Sequence, residues 1–179
     1  MKATLANGCF WCTEAIFTRI NGIESVVPGY CGGVLDNPSY EQVCTGRTGH
    51  AEAAQIEFDA EIISFEKLLD VFWHTHDPTT LNRQGNDVGT QYRSAIFYHD
   101  EEQKQIAEKS KKQIEESRVY NDPIVTEIVR LTKFYPAEGY HKKYYEQNQD
   151  APYCRFVIEP KVGKLLKQYR NQLKSEYSH

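Results

Sequence analysis

Two thiols three positions apart, in the run Gly8-Cys9-Phe10-Trp11-Cys12-Thr13-Glu14, are the groups in this chain best suited to covalent chemistry. Cys9 follows a short apolar strand (Ala3, Leu5, Ala6) and a glycine turn, and helix-forming residues run from Thr13 to Thr18 behind it. That order places Cys9 at a helix amino end, where unpaired amides and the helix dipole favour a thiolate over a thiol. Cys9 is therefore the candidate nucleophile. Phe10 and Trp11 supply aromatic surface beside it, and Cys12, one helical turn on, is near enough to close a disulfide. The chemistry expected is redox.

Composition narrows the setting. Five cysteines, an odd number, fit free or cycling thiols better than a structural disulfide framework. No secretory signal follows Met1-Lys2, so a reducing cytoplasm is expected. A net charge of −4 with no basic block argues against nucleic acid as principal partner, and no apolar run approaches the ~20 residues of a membrane span. At 179 residues, a single domain over 1–179 with one core is expected.

The elements that must position these thiols read as interleaved strands and helices. Strand-like runs fall at Ala3 to Ala6, Glu24 to Tyr30, Ala53 to Phe58, Ser94 to Tyr98 and Ile124 to Val129. Helices are expected over about Cys9 to Thr18, Ser64 to Trp73, Asp100 to Ser117, and Lys161 to Gln172 after Pro160. The pattern is that of an α/β or α+β layer fold. The remaining segments, Gly29 to Gly33, Thr45 to Gly49, Asn82 to Thr90 and Pro136 to Tyr153, read as loops whose glycines allow close backbone approach to a ligand.

Three loop segments carry further polar groups: Asn37 to Gly46 with Tyr40, Thr48 to Glu52 with His50 and Glu52, and Gln84 to Ser94 with Asp87 and Tyr92. With the cysteine motif, these four segments, in order and at family spacing, resemble the peptide methionine sulfoxide reductase A family from Gly8 through Pro160. The resemblance implies reduction of methionine-S-sulfoxide, free or in proteins, without a cofactor or metal, by a monomer. Cys9 would attack the sulfoxide sulfur and keep the oxygen as a sulfenic acid. Glu52 would donate the proton the oxygen needs, provided that burial keeps the carboxyl protonated. Tyr40 and Tyr92 would hydrogen-bond the oxygen, Asp87 would organise the site through water, and Phe10 and Trp11 would hold the substrate methyl. The fold implied is a single-domain roll with a mixed, mainly antiparallel sheet, a ferredoxin-like βαβ core and an irregular C-terminal tail from about residue 136 to 179. Cys154, matching the family's C-terminal resolving position, is the preferred resolver, on a loop free to swing toward Cys9. Cys12, standing where many members have glycine, is the alternative or relay partner. Thioredoxin would reduce the resulting disulfide.

Other thiols and histidines receive plainer readings. Cys31 and Cys44 are taken as structural, His50 as a tie within its loop, and His74 and His76 as residues closing a helix rather than a metal pair. Two competing functions are a thioredoxin-like dithiol oxidoreductase built on Cys9 and Cys12 alone, and a zinc-binding module using Cys9, Cys12, Cys154 and a histidine.

Overall fold

The computed structural model describes all 179 residues. Its main sheet has the order β7-β6-β1-β3-β2-β8. The strands are β1 (Lys2–Asn7), β2 (Ile23–Cys31), β3 (Ala51–Phe58), β6 (Ser94–Tyr98), β7 (Glu127–Arg130) and β8 (Phe134–Pro136), with β4 (Arg83–Gln84) and β5 (Asp87–Val88) forming a separate hairpin. Helices are α1 (Phe10–Phe17), α2 (Tyr40–Cys44), α3 (Phe65–His74), α4 (Glu101–Ser117), α5 (Tyr144–Gln147) and α6 (Glu159–Gln168). The central order β6-β1-β3-β2, with α1 linking β1 to β2 and α3 linking β3 to β6, is the expected split βαβ arrangement. Every pairing in the main sheet is antiparallel except β6 with β7.

Period-two alternation in β3 explains the layering. Ala54, Ile56 and Phe58 face the main core with Ile16, Phe17 and Ile20 of α1's end and Leu68, Leu69 and Phe72 of α3. Ala51 and Ala53 face the other side, against Ala6, Cys31, Ala95 and Phe97. Helix α3 begins at Ser64, whose hydroxyl accepts from Lys67 N–H at 3.2 Å, and α4 begins at Asp100, which accepts from Gln103 N–H at 2.8 Å. Helix α1 carries apolar residues all round because the sheet covers one side and the tail the other; of its eight residues only Trp11 is not buried.

Several boundaries move. The expected strand at Ile124 to Val129 pairs with β6 only from Glu127, since Val125 N–H is spent on Pro78 O at 2.9 Å. Helix α2 lies in a segment read as a loop, although Ser39 and Gln42 form a capping box legible in the sequence. The tail, expected to be irregular apart from a helix over Lys161 to Gln172, also holds the short α5 and a π-helical stretch over Cys154–Ile158 ahead of α6. Pro160 sits inside the first turn of α6, where its missing N–H is tolerated, so the helix starts earlier than residue 161. Short β8 escapes detection because three residues ending in proline have no periodicity to read.

Candidate active site

Antiparallel pairing brings three strand ends together. The end of β1 lies beside the start of β3 and the start of β6, with Leu5 opposite Ala54 and Asn7 opposite Ser94. Cys9 follows the first of these ends, Glu52 opens the second and Tyr92 precedes the third. Tyr40 enters from α2, after the end of β2 that pairs with the same end of β3, Cys31 opposite Ala51. Residues far apart in sequence thus converge where the strands change direction.

Gly8 makes the turn into the nucleophile. Its φ of +100° is open to glycine, and a Cβ there would lie 2.7 Å from Gln84 Cγ. Cys9 then caps α1 with its backbone, Cys12 N–H donating to Cys9 O at 3.0 Å. Thr13 donates its hydroxyl to Asn7 Oδ1, lacing the helix back to β1.

The ionisation states differ from the expectation for Cys9. Its thiol is 5 % exposed, and burial, then the adjoining Cys12 thiol, then the Glu52 carboxyl push its pKa well up. One helix end does not offset that desolvation. Tyr153, whose hydroxyl lies against the sulfur, acts in the opposite direction. Cys12 is the thiol pushed down, to about 7, chiefly by the hydrogen bond it receives from Cys9, with Lys161 helping and burial opposing. Of the two, Cys12 is the thiol that loses its proton more readily.

Glu52 is 1 % exposed and its carboxyl is pushed up to about 8 by burial, despite the hydrogen bond that Oε1 accepts from Phe10 N–H at 3.3 Å. Its Oε2 is buried with no partner. A protonated carboxyl with its O–H on that oxygen suits both observations. Burial first, and the neighbouring Glu52 carboxyl second, push the pKa values of Tyr40 and Tyr92 up, so both hydroxyls keep their protons; Cys9 and Asp87 also act on Tyr92. Asp87, on the β4–β5 hairpin, accepts from Tyr153 at 2.6 Å. All five residues expected to be catalytic, Cys9, Glu52, Tyr40, Tyr92 and Asp87, therefore lie within one electrostatic neighbourhood.

Phe10 is fully buried, with its ring centroid 5.7 Å from Tyr30, 6.3 Å from Tyr40 and 5.0 Å from His141. Trp11 is half-buried and stacks on Tyr144, centroids 3.7 Å apart and planes 7° from parallel. The tail supplies partners the sequence reading missed, since the stretch from Pro136 to Tyr153 carried no periodic signal. Glu138 accepts from Tyr30 hydroxyl at 2.9 Å and from Tyr40 N–H at 3.0 Å. His141 accepts from the Trp11 indole at 3.1 Å. Glu14 of α1 accepts from Lys143 N–H through both oxygens, at 3.0 and 2.9 Å.

Of the two candidate resolvers, Cys12 adjoins Cys9, whereas Cys154 is fully buried at the start of the π-helical stretch and has Cys12 as its sulfur neighbour. Cys154 therefore does not lie on a free loop, because Ile158 and Val162 behind it belong to the apolar cluster around Cys9 and Cys12. Cys31 is buried, but Cys44 is exposed at the end of α2 beside Tyr40, so packing does not explain it. His50 ties its loop as expected: Nδ1 accepts from Gly33 N–H at 3.1 Å, and Nε2 bonds Leu35 O at 2.7 Å. His74 and His76 bond the carbonyls of Asp70 and Phe72 at 2.8 and 2.6 Å, closing α3. No three His, Cys, Asp or Glu side chains gather into a metal-ligand set.

Known proteins bear on this arrangement. Residues 1–174 match the family model described as peptide methionine sulfoxide reductase. The chain is 55% identical over 167 residues to the peptide methionine sulfoxide reductase MsrA of Sulfolobus acidocaldarius, covering 93% of this chain and 94% of that one. It is similar to the reduced crystal form of Mxr1 from Saccharomyces cerevisiae, with a TM-score of 0.79, 35% identity and coverage of 86% and 88% of the two chains. It is also similar to Mxr1 in its complex with Trx2, with a TM-score of 0.56, 26% identity and coverage of 80% and 84%. By family match, identity and coverage, with the buried thiol and carboxyl in place, the chain belongs to the peptide methionine sulfoxide reductase A family.

Proposed function

We propose that this protein reduces methionine-S-sulfoxide, free or within proteins, by attack of Cys9 on the sulfoxide sulfur. The observation that carries the reading is Glu52, a carboxyl buried beside Cys9 with one oxygen bonded by Phe10 N–H and the other unpartnered. A proton waiting on that oxygen is what a departing sulfoxide oxygen requires.

As the Cys9 sulfur bonds to the sulfoxide sulfur, Glu52 protonates the oxygen, and the hydroxyls of Tyr40 and Tyr92 bond it as charge develops. Collapse of the tetracoordinate intermediate moves the protonated oxygen onto the Cys9 sulfur: a Cys9 S–O bond forms as the substrate S–O bond and the transient bond between the two sulfurs break, which releases the thioether and leaves Cys9 as S–OH; the Cys9 proton restores Glu52. The sulfoxide sulfur gains two electrons and Cys9 loses two. Phe10 and Trp11 hold the methyl group, and Asp87 orients Tyr153 against the Cys9 sulfur.

Recycling follows the order in which the thiols lie. Cys12, with its lowered pKa, attacks the sulfenic sulfur, and water leaves as the Cys9–Cys12 disulfide forms. Cys154 then attacks Cys12, frees Cys9 and carries the disulfide to the tail. A thioredoxin-type dithiol reduces it there, a role supported by the Trx2 complex of the yeast relative.

The test counts methionine released per protein without reductant. Wild type should release about two equivalents, because the relay regenerates Cys9 once, and Cys154→Ser about one. Cys12→Ser should stall after about one, with a sulfenic acid that dimedone traps. Cys9→Ser should release none. Sustained release by Cys9→Ser would overturn the assignment; a Cys9–Cys154 disulfide with no dimedone adduct in Cys12→Ser would remove Cys12 from the relay.

A further inference from the structure

The geometry points to His141 as a substrate-binding residue whose Nε2–H donates to an oxygen that the substrate brings up to the cluster of Phe10, Trp11 and Tyr40 rings. It rests on the reductase reading above and adds a contact which that reading does not contain.

An indole N–H can only donate, so the 3.1 Å bond from Trp11 Nε1 makes His141 Nδ1 an acceptor. A neutral ring then carries its single proton on Nε2. Burial holds this imidazole's pKa below the ordinary histidine value, which keeps it neutral and preserves the tautomer. Nε2 is buried and bonds nothing in the protein, although His141 as a whole is fully enclosed. Buried donors are almost always paired, so an orphan N–H calls for a specific explanation.

Its surroundings supply one. The ring centroid lies 4.4 Å from Tyr40, 5.0 Å from Phe10 and 5.8 Å from Trp11, the same rings expected to receive the methyl-sulfoxide end of a substrate. The nearest carboxylate in the tail, Glu138, is already engaged by Tyr30, Tyr40 N–H and Tyr140. A sulfoxide oxygen or the carbonyl of the methionine sulfoxide residue offers the missing acceptor, since both are neutral dipolar oxygens of the kind an imidazole N–H pairs with.

A purely structural His141 would serve only to hold Trp11, and two substitutions separate that role from the proposed one. Asparagine places its amide oxygen where Nδ1 lies and so keeps an acceptor for Trp11, but has nothing at the Nε2 position. Glutamine reaches the Nε2 position with an amide N–H and gives up the Trp11 bond. For His141→Asn we expect a loss of about tenfold in first-turnover kcat/KM on N-acetyl-methionine-S-sulfoxide amide, with unchanged tryptophan fluorescence, and for His141→Gln partial recovery. Dimethyl sulfoxide, which has no main chain, separates the acceptors: an equal loss assigns the sulfoxide oxygen, and no loss assigns the carbonyl.

A second measurement does not depend on those variants folding. In 15N-labelled Cys9→Ser protein, the His141 proton should sit on Nε2, and its resonance should shift when methionine-S-sulfoxide saturates the site. Full activity of His141→Asn on both substrates, a proton found on Nδ1, or an Nε2–H unmoved by saturating substrate would each overturn the proposal. Failure of wild type to release methionine would refute the reductase reading instead, so the two failures are distinguishable.

Discussion

Tyr153 donates its hydroxyl to Asp87 at 2.6 Å while resting against the Cys9 sulfur, so the residue before Cys154 is fastened to the β4–β5 hairpin across the reactive thiol. Cys154 is fully buried and must leave its packing to hand a disulfide outward. The hydrogen bond to a carboxylate resists that departure by about 1.5–3 kcal/mol, the usual contribution of a bond to a charged group. Tyr153→Phe should therefore speed alkylation of Cys154 in a background lacking Cys9 and Cys12 by about tenfold or more. An unchanged alkylation rate would show that the tail opens by a route independent of this tether.

Glu52 sets the pH dependence of the chemical step. Because its carboxyl titrates near about 8, the fraction able to donate a proton falls as pH rises through that value. The first-turnover rate should decline above about pH 8, and Glu52→Gln should be slower by about 10² to 10⁴ fold with that decline abolished. Rapid-quench measurement of methionine across pH 6 to about 10 checks both; an unaltered rate in Glu52→Gln would remove this residue from the acid role.

Stability should move with the same carboxyls. Glu52 and Glu14 have folded-state pKa values raised to about 8 and about 7, above the 4.5 of an exposed glutamate. The folded protein thus holds protons that the unfolded chain has released, and stability falls as pH climbs from about 4.5 toward these values. Glu14→Gln removes one of the two contributions and retains an acceptor for Lys143 N–H, so its melting temperature should gain on wild type between pH 5 and about 8. A constant difference across that range would contradict the assignment of raised pKa values.

Gly8→Ala should damage the site more than the fold. The added Cβ meets Gln84 Cγ at 2.7 Å with φ at +100°. Gln84 cannot easily yield, since its amide accepts from Asp77 N–H and donates to Asp77 O, both at 2.9 Å. A stability loss of about 1–3 kcal/mol in denaturant unfolding is expected, the range for one strained residue. The first-turnover rate should fall by about a hundredfold, because Cys9 moves with the turn. Retention of wild-type rate in a destabilised protein would mean that the nucleophile's position is set from α1 instead.

Sequence alone singled out Cys9 as the candidate thiol and set out the layer pattern for local reasons, while Glu52 stands out as the candidate acid only through the family resemblance. Cys9, Phe10, Trp11 and Cys12 are contiguous, Glu52 opens an alternating strand, and the caps at Ser64 and Asp100 announce α3 and α4. Tertiary structure decided what those groups become. A helix end predicts a lowered pKa for Cys9, but desolvation by the tail, which no neighbouring residue foretells, raises it and leaves Cys12 as the more acidic thiol. Cys154 reads as a mobile resolver from its loop-like context, yet Ile158 and Val162 bury it. Glu138, His141 and Tyr153 reach the site from more than 60 residues away, through bonds to Tyr40, Trp11 and Asp87. Periodicity reports which face of an element is apolar; which distant polar atom meets which depends on how the tail closes over the sheet.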